Sequence, residues 1–503
     1  MENEKQVKPF LSLLFLGTVM GILLLIMVFF PENGIKIGGS TLKFPAISEF
    51  FAPNTSYLDS LEQRQRDLQI LFDSTDLPIA IDSALIQKKL DSLLVIRKSI
   101  QVPESAQPDL IRFFNALDRA RSRKVRVMHY GDSQIEGDRI TGHLRNELQT
   151  RFGGSGPGLF DVMQVAPKPS INIEYSENWL RFSGFGWMDS TVNHNRYGPL
   201  MAFSRYLPIP DTTRILDTLI KQAWITLRPA VASYAKTKNY NTIKVFLSNL
   251  YAPMTYEIEA NGTQLEQGNV SANNALTILQ ANLETTPEIL TIRFSGTDSP
   301  DVYGISLEST TGVIVDNIPL RGSSGTLFAK HNLELLSQSY KHLSPDLIIL
   351  EFGGNVLPYI ENEEECLEYG EWFKAQIKML RRLNPNSAFL IIGPADASVK
   401  VKTDYITHPF LETVRDVMLQ AAKDTGCMYW DMYEVMGGKN SMPQWVGAKP
   451  PLAAPDYIHF SRLGAQKMAE IFVEKLFGLY ESYKQPQAIV PSAGIQNLKN
   501  DVH

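Results

Sequence analysis

The sequence predicts an α/β domain with a mostly parallel sheet covered on both faces, interrupted by an all-β insertion and preceded by a membrane-crossing helix. Three observations carry this. Short apolar runs at 125–130, 346–352, 389–392 and 428–433 alternate with stretches of helical periodicity, the rhythm of a parallel sheet buried on both sides. Between about 160 and 315 the rhythm changes to short alternating segments separated by Asn-Gly and Pro-containing turns, which reads as a β-sandwich or jelly roll. Residues 9–30 contain no charge and are rich in Leu, Phe, Ile, Val and Met.

As a helix, 9–30 would be roughly 33 Å long, enough to cross a bilayer. A cleaved signal peptide has a shorter apolar core and a small-residue cleavage site, whereas this run ends in Phe29-Phe30-Pro31-Glu32. The expectation is therefore an uncleaved anchor in a single-pass membrane protein of the cell envelope, with the rest of the chain outside the cytoplasm. Lysines lie on both sides (Lys5 and Lys8, Lys36 and Lys43), so charge gives little orientation.

Residues 31–120 read as a helical stalk or linker. Leu58, Leu61, Leu68 and Leu71, then Leu85, Leu90, Leu93 and Leu94, recur at helical spacing, without a sustained heptad. The catalytic core is expected over 121–163 and 316–480, about 200 residues and a normal size for one domain. Ile140, Leu144, Leu148 and Phe152 repeat every fourth residue on one helix face. The inserted domain occupies 164–315, with strands expected at 242–250, 255–260, 276–279, 289–294 and 302–307. Core helices are expected at 327–342, 364–383 and 461–480, before a tail at 481–503.

A net charge of −6 and a pI near 5.9, with scattered Lys and Arg, give no electrostatic case for nucleic-acid binding. Cys366 and Cys427 make neither a disulfide framework nor a metal knuckle and are expected to be buried thiols. With no His-x-x-x-His and no Cys/His cluster, no metal or other cofactor is expected.

The chemistry concentrates in three blocks. Gly131-Asp132-Ser133 follows the strand at 125–130, where the carboxyl end of a sheet strand presents a side chain to a ligand. Phe352-Gly353-Gly354-Asn355 follows a second buried-type strand, and Asp456-Tyr457-Ile458-His459 precedes the last helix, with Ser461 as its N-cap. A serine on a sharp turn needs a base, and a histidine base needs a carboxylate to fix its tautomer; Ser133, His459 and Asp456 supply that set. There is no Gly-x-Ser-x-Gly pentapeptide, which argues against an α/β-hydrolase elbow. Asp132 is expected to shape its turn, Glu136 and Asp138 to sit in a first helical turn, and Glu351 and Asp396 to lie near the cleft without reacting. Nothing in the spacing of His194 and Arg196 supports a metal.

Together these blocks resemble the SGNH (GDSL-type) serine hydrolase family. The resemblance implies a three-layer α/β/α, flavodoxin-like core. It also implies an oxyanion hole made by the Ser133 N–H, the Asn355 amide and a glycine N–H, assigned to Gly322 with Gly325 in reserve. At a finer level, His129-Tyr130-Gly131-Asp132-Ser133-Gln134, the run Gly153-Gly154-Ser155-Gly156-Pro157-Gly158 and a following β insertion look like bacterial peptidoglycan and polysaccharide O-acetylesterases. The implied function is removal of O-acetyl groups from a cell-wall or surface glycan through an acyl-serine. The same residues serve an O-acetyltransferase that takes acetyl from a membrane acyltransferase partner, or a non-catalytic glycan-binding or assembly protein retaining the fold. In the insertion, Trp179, Phe185, Trp187 and Tyr197 are candidate stacking surfaces for the glycan, with core packing the commoner fate of any one such aromatic residue.

Overall fold

The computed structural model describes Thr18 and residues 35–37, 40–42, 98–210 and 219–484. The chain divides into a unit spanning Met1–Ile86 and one spanning Gln87–His503. In the first, the described backbone includes a short antiparallel pair, Ile35–Ile37 with Ser40–Leu42. The helical stretch expected over 57–98 lies outside the described residues except Lys98, as does the tail beyond 484.

The single-pass membrane placement is corrected: among the described residues no helix is long and apolar enough to cross a membrane. The longest described helix, Arg462–Lys484, has 23 residues but carries Lys467, Glu470, Glu474 and Lys475 along its length, so length alone does not make it a span. The run 9–30 lies outside the described residues apart from Thr18.

The second unit is built on a six-stranded sheet whose strands are, in chain order, β1 (Ile100–Gln101), β2 (Lys124–Gly131), β3 (Gly312–Pro319), β4 (Pro345–Glu351), β5 (Ala388–Ile392) and β6 (Met428–Trp430). Their spatial order is β3-β2-β4-β5-β6-β1, parallel throughout except that β1 runs antiparallel to β6. The five parallel strands thus follow the flavodoxin-like order, whose direction reverses between β2 and β4. Val125, Val127, Leu347, Ile349 and Leu390 face one helical layer; Met128, Tyr130, Ile348, Leu350 and Ile391 face the other. That two-sided burial is why these strands read as continuous apolar runs.

The first layer holds α1 (Gln107–Asp118), α2 (Thr141–Phe152) and the C-terminal helix Arg462–Lys484. Ile140, Leu144, Leu148 and Phe152 are all buried there. The opposite layer holds α3 (Leu333–Leu343), α4 (Glu363–Leu383) and α5 (Leu411–Asp424). Cys366 and Cys427 are buried free thiols. The core extends further toward the N-terminus than expected: β1 and α1 fall within the supposed linker, yet Phe113, Phe114 and Leu117 sit in the first layer and β1 pairs with β6.

The insertion is an antiparallel sandwich. One sheet contains Thr277–Asn282, Thr242–Ser248, Asp301–Glu308, Ala202–Arg205 and Leu180–Ser183, with Gly158–Phe160 also pairing to Asp301–Glu308. The other contains Thr263–Val270, Met254–Ala260, Leu290–Gly296, Lys221–Pro229 and Ile171–Tyr175. The boundaries shift accordingly: Gly158–Phe160 belongs to the sandwich, whereas Gly312–Pro319, half of which falls within 164–315, is the core's second parallel strand. Trp179 and Tyr197 are buried, which removes them as stacking surfaces, while Trp187 is fully exposed.

A buried charge network fastens the insertion to the core. Arg126 of β2 donates to both oxygens of Asp316 at 2.7 and 2.8 Å and to Glu308, on the last sandwich strand. Lys124 and Lys244 also bond Glu308, and Asp316 accepts the Leu159 N–H at 2.8 Å. Burial pushes the Glu308 carboxyl up, but Arg126, Lys244 and Lys124 override it and hold the group well below the usual carboxylate range.

Candidate active site

β2 and β4 end side by side at the reversal point of the sheet, and their carboxyl ends carry the first two blocks. Gly131 is required there by close approach: a Cβ would stand 3.0 Å from Ile135 Cδ1 and 3.1 Å from the Glu351 carbonyl. The Gly131 carbonyl accepts the Leu320 N–H at 2.7 Å, and the Asp132 N–H donates to Glu351 at 3.3 Å. Asp132 then caps a 3-10 segment, Ser133–Asp138, accepting the Gln134 N–H at 2.9 Å. Ser133 is therefore not the capping residue, and its hydroxyl is left for other work.

Ser133 Oγ lies 2.7 Å from His459 Nε2, and His459 Nδ1 lies 2.8 Å from Asp456 Oδ2. The other Asp456 oxygen accepts the N–H groups of Ile458 and His459, each at 3.0 Å. Burial raises the Asp456 carboxyl, but its bonds with His459 and Ile458 outweigh this and keep it below the usual range. The Asp-x-x-His spacing thus closes a small ring that fixes the imidazole. Ser461 Oγ accepts the Gly464 N–H at 3.1 Å, capping the last helix as expected.

Two side chains to which the sequence reading gave no role hold this loop against Ser133. Gln134 Nε2 donates to the Ile458 carbonyl at 2.7 Å while its Oε1 accepts the Phe460 N–H at 3.2 Å, bracketing His459. Arg139 donates to the Phe460 carbonyl at 3.2 Å and to the carbonyl of Ser133. Apart from the Ser133 carbonyl, these partners are backbone atoms on a loop more than three hundred residues away, so no local signal announces them.

Asn355 follows Gly353, whose φ of +111° takes the chain out of β4. Asn355 Nδ2 donates to Asp132 Oδ2 at 2.9 Å and, at 3.4 Å, to the Ser323 carbonyl. The first bond orients the amide; the second is long and correspondingly weak. Gly322 does not line the pocket at Ser133, whereas Gly354 does. The turn from Leu320 to Ser323 presents the Ser323 carbonyl to Asn355 instead. The Gly325 N–H is already bonded to Ser323 Oγ at 3.0 Å.

The neighbouring acids are structural. Glu136 forms a fork with Arg321 at 2.6 Å, Asp138 pairs with Arg145 at 3.0 Å, and Glu351 bonds His129 Nε2 at 3.0 Å. Asp396 accepts from Thr407, Ser441 and the Met442 N–H. His194 Nε2 lies 3.1 Å from Asn249 and 3.3 Å from Asp301. Among the described residues no group of three His, Cys, Asp or Glu side chains could hold a metal ion.

Burial lifts Asp132 from 3.8 to about 7, with Glu351 adding to the rise and Gln134, His459 and Asn355 opposing it. Its folded pKa lies above its unfolded one, so between about pH 4 and 7 the folded state binds more protons. Stability is lost as pH rises through that window. Asp132→Asn should flatten this part of the stability profile; an unchanged slope in denaturant titrations would assign it to another group.

The pocket beside Ser133 has a volume of about 130 Å³ and is walled by Phe352, Pro358, Pro394, Ala395, Ala397 and Met432. It is a small apolar recess opening onto Ser133, Asn355 and His459.

The fold is that of a solved peptidoglycan O-acetylesterase: the two superpose with a TM-score of 0.59 over 76% of this chain and 99% of that one, at 20% identity. The resemblance to SGNH-type hydrolases read from the three blocks thus extends to the architecture that carries them. Two weaker matches are a Bacillus subtilis protein (TM-score 0.28, 13% identity, 64% and 97% of the two chains) and a family two carbohydrate esterase from Clostridium thermocellum in complex with cellohexaose (0.23, 10%, 60% and 99%). No family model and no curated protein matches the sequence.

Proposed function

We propose that this chain is a serine esterase that removes O-acetyl groups from a glycan through an acyl-Ser133 intermediate. The observation that carries the reading is the bonded chain Ser133–His459–Asp456, with contacts of 2.7 and 2.8 Å. Ser133 Oγ attacks the ester carbonyl carbon as its proton passes to His459 Nε2. The negative charge on the carbonyl oxygen is met by the Ser133 N–H and Asn355 Nδ2. His459 returns the proton to the departing sugar oxygen, releasing the deacetylated hydroxyl. A water then gives a proton to His459 and attacks the acyl carbon, and the proton returns to Ser133 Oγ as acetate leaves. Asp456 stabilises the imidazolium in both halves without taking its proton. The recess of about 130 Å³ suits a short acyl group, and the likeness to a peptidoglycan O-acetylesterase supports a glycan ester as substrate.

The purified chain should release acetate from a chromogenic acetate ester and from O-acetylated peptidoglycan without added metal. Inertness toward both, with acetylation of a sugar when an acetyl donor is supplied, would replace hydrolysis by transfer. Asn355→Ala should lower kcat roughly 10²–10³-fold, the effect of losing one oxyanion donor. An unchanged kcat would remove Asn355 from the oxyanion hole.

A further inference from the structure

The sandwich sheet formed by Thr263–Val270, Met254–Ala260, Leu290–Gly296, Lys221–Pro229 and Ile171–Tyr175 has one face in the sandwich interior. The other sheet lies between it and the core, because Phe182, Phe203, Phe246 and Tyr303 pack with the core's own side chains. The outer face of the first sheet meets the core only along its Ile171–Tyr175 edge, where Asn172 lines a groove with Arg139 and His143. It carries an open trough of about 630 Å³.

The register arranges that face in rows. Gln267, Glu257, Arg293 and Trp224 are consecutive partners across four strands. The adjacent row is Asn269, Thr255, Ser295 and Gln222. Planar amides, hydroxyls, the Arg293 guanidinium and the Glu257 carboxylate thus surround one aromatic ring, Trp224, which is 37% exposed. The ring's backbone is anchored three times: its N–H bonds Ser176 Oγ at 3.2 Å, and its carbonyl accepts from the Ser176 N–H at 3.1 Å and Trp179 Nε1 at 3.2 Å. Arg293 is held by both oxygens of Glu259 at 3.2 Å, and Arg228 pairs with Glu174 at 2.8 Å. Charges on the face are largely matched, which disfavours a strongly charged ligand. An aromatic ring on an anchored strand for the C–H face of a sugar, beside donors and acceptors for its hydroxyls, is chemistry that recognises an uncharged polyhydroxylated chain, and the open trough lets such a chain run past.

We propose that this face is a second, non-catalytic binding site for an unbranched neutral or N-acetylated glycan, with Trp224 as its stacking platform. The proposal rests on the glycan-esterase reading above and adds a polymer-holding site that shares no lining residue with the recess at Ser133. Binding there keeps the enzyme on its polymer between turnovers by raising effective concentration.

The test uses the full chain carrying Ser133→Ala, so that binding is read without turnover, in co-sedimentation with insoluble peptidoglycan sacculi and with chitin. The Ser133→Ala chain should sediment with at least one of them. Adding Trp224→Ala should weaken sedimentation about tenfold or more, and Trp224→Phe should restore most of it. Thr255→Lys, which fills the trough from an exposed position, should weaken it as well without disturbing the melting curve. No sedimentation of the Ser133→Ala chain with either polymer, or binding unchanged by both Trp224→Ala and Thr255→Lys, overturns the proposal. Acetate release by the chain with Ser133 intact is measured separately, so failure of the esterase reading would appear there and not in the binding data.

Discussion

Ser133→Ala should lower ester turnover on the order of 10⁵–10⁶-fold, to what oxyanion donors and binding alone provide. Removing the hydroxyl takes away the only atom that would bond the acyl group, and His459 Nε2 loses its 2.7 Å partner. The fold should be untouched, because Ser133 is half-buried at a turn whose conformation is set by Gly131 and by the Asp132–Gln134 bond. Circular dichroism and melting should match those of the parent. A Ser133→Ala chain that keeps more than about a hundredth of the parent's turnover would mean that another group attacks the ester.

The largest stability effect is expected at Arg126→Ala, with a loss of about 3–5 kcal/mol. The substitution leaves Asp316 and Glu308, both fully buried, facing each other without the guanidinium between them. Lys124 and Lys244 still reach Glu308, but Asp316 keeps only the Leu159 N–H among the bonds described above. Arg126→Lys should recover part of the loss, since it restores charge without the two-pronged geometry. Urea unfolding would measure both, and a midpoint for Arg126→Ala equal to the parent's would show that the network contributes nothing net. The same network makes the sandwich part of the fold. Excising 165–312 would strip Arg126 of Glu308 and uncover the core against which Tyr197, Phe203 and Tyr303 pack, so loss of activity there would report unfolding and not substrate choice.

The Ser133 turn, the Asn355 loop and the Asp456–His459 ring were legible because each follows or precedes an element whose periodicity is strong, and because the residue types have few other reasons to occur together. Gly312–Pro319 was partly assigned to the insertion because its apolar run looks the same in a sandwich as in a parallel sheet; only pairing with β2 distinguishes them. Thr263–Val270 escaped notice because nearly all its side chains are polar and outward, whereas Lys221–Pro229 carries a readable inward alternation of Ala223, Ile225 and Leu227. α2 runs back against the strands, so the chain enters the sandwich from Gly153 and leaves it at Gly312, beside Lys124 at the amino edge of the sheet, while Ser133 lies at the carboxyl edge. Gln134 and Arg139 were invisible for a different reason: their work is done on backbone atoms of a remote loop.

The bracket that Gln134 and Arg139 place around His459 has a consequence for how the protein comes into being. A ribosome delivers Ser133 and Asn355 long before it delivers His459, and the helix Arg462–Lys484 that covers Phe152 and Trp430 comes last. Until then the nascent chain has a serine with no base, while Gln134 and Arg139 lack the loop atoms they hold. If the proposed esterase reading holds, its chemistry is deferred until synthesis has passed residue 459, and a transcript cut short before that codon would direct a chain lacking His459 and with its first helical layer uncovered.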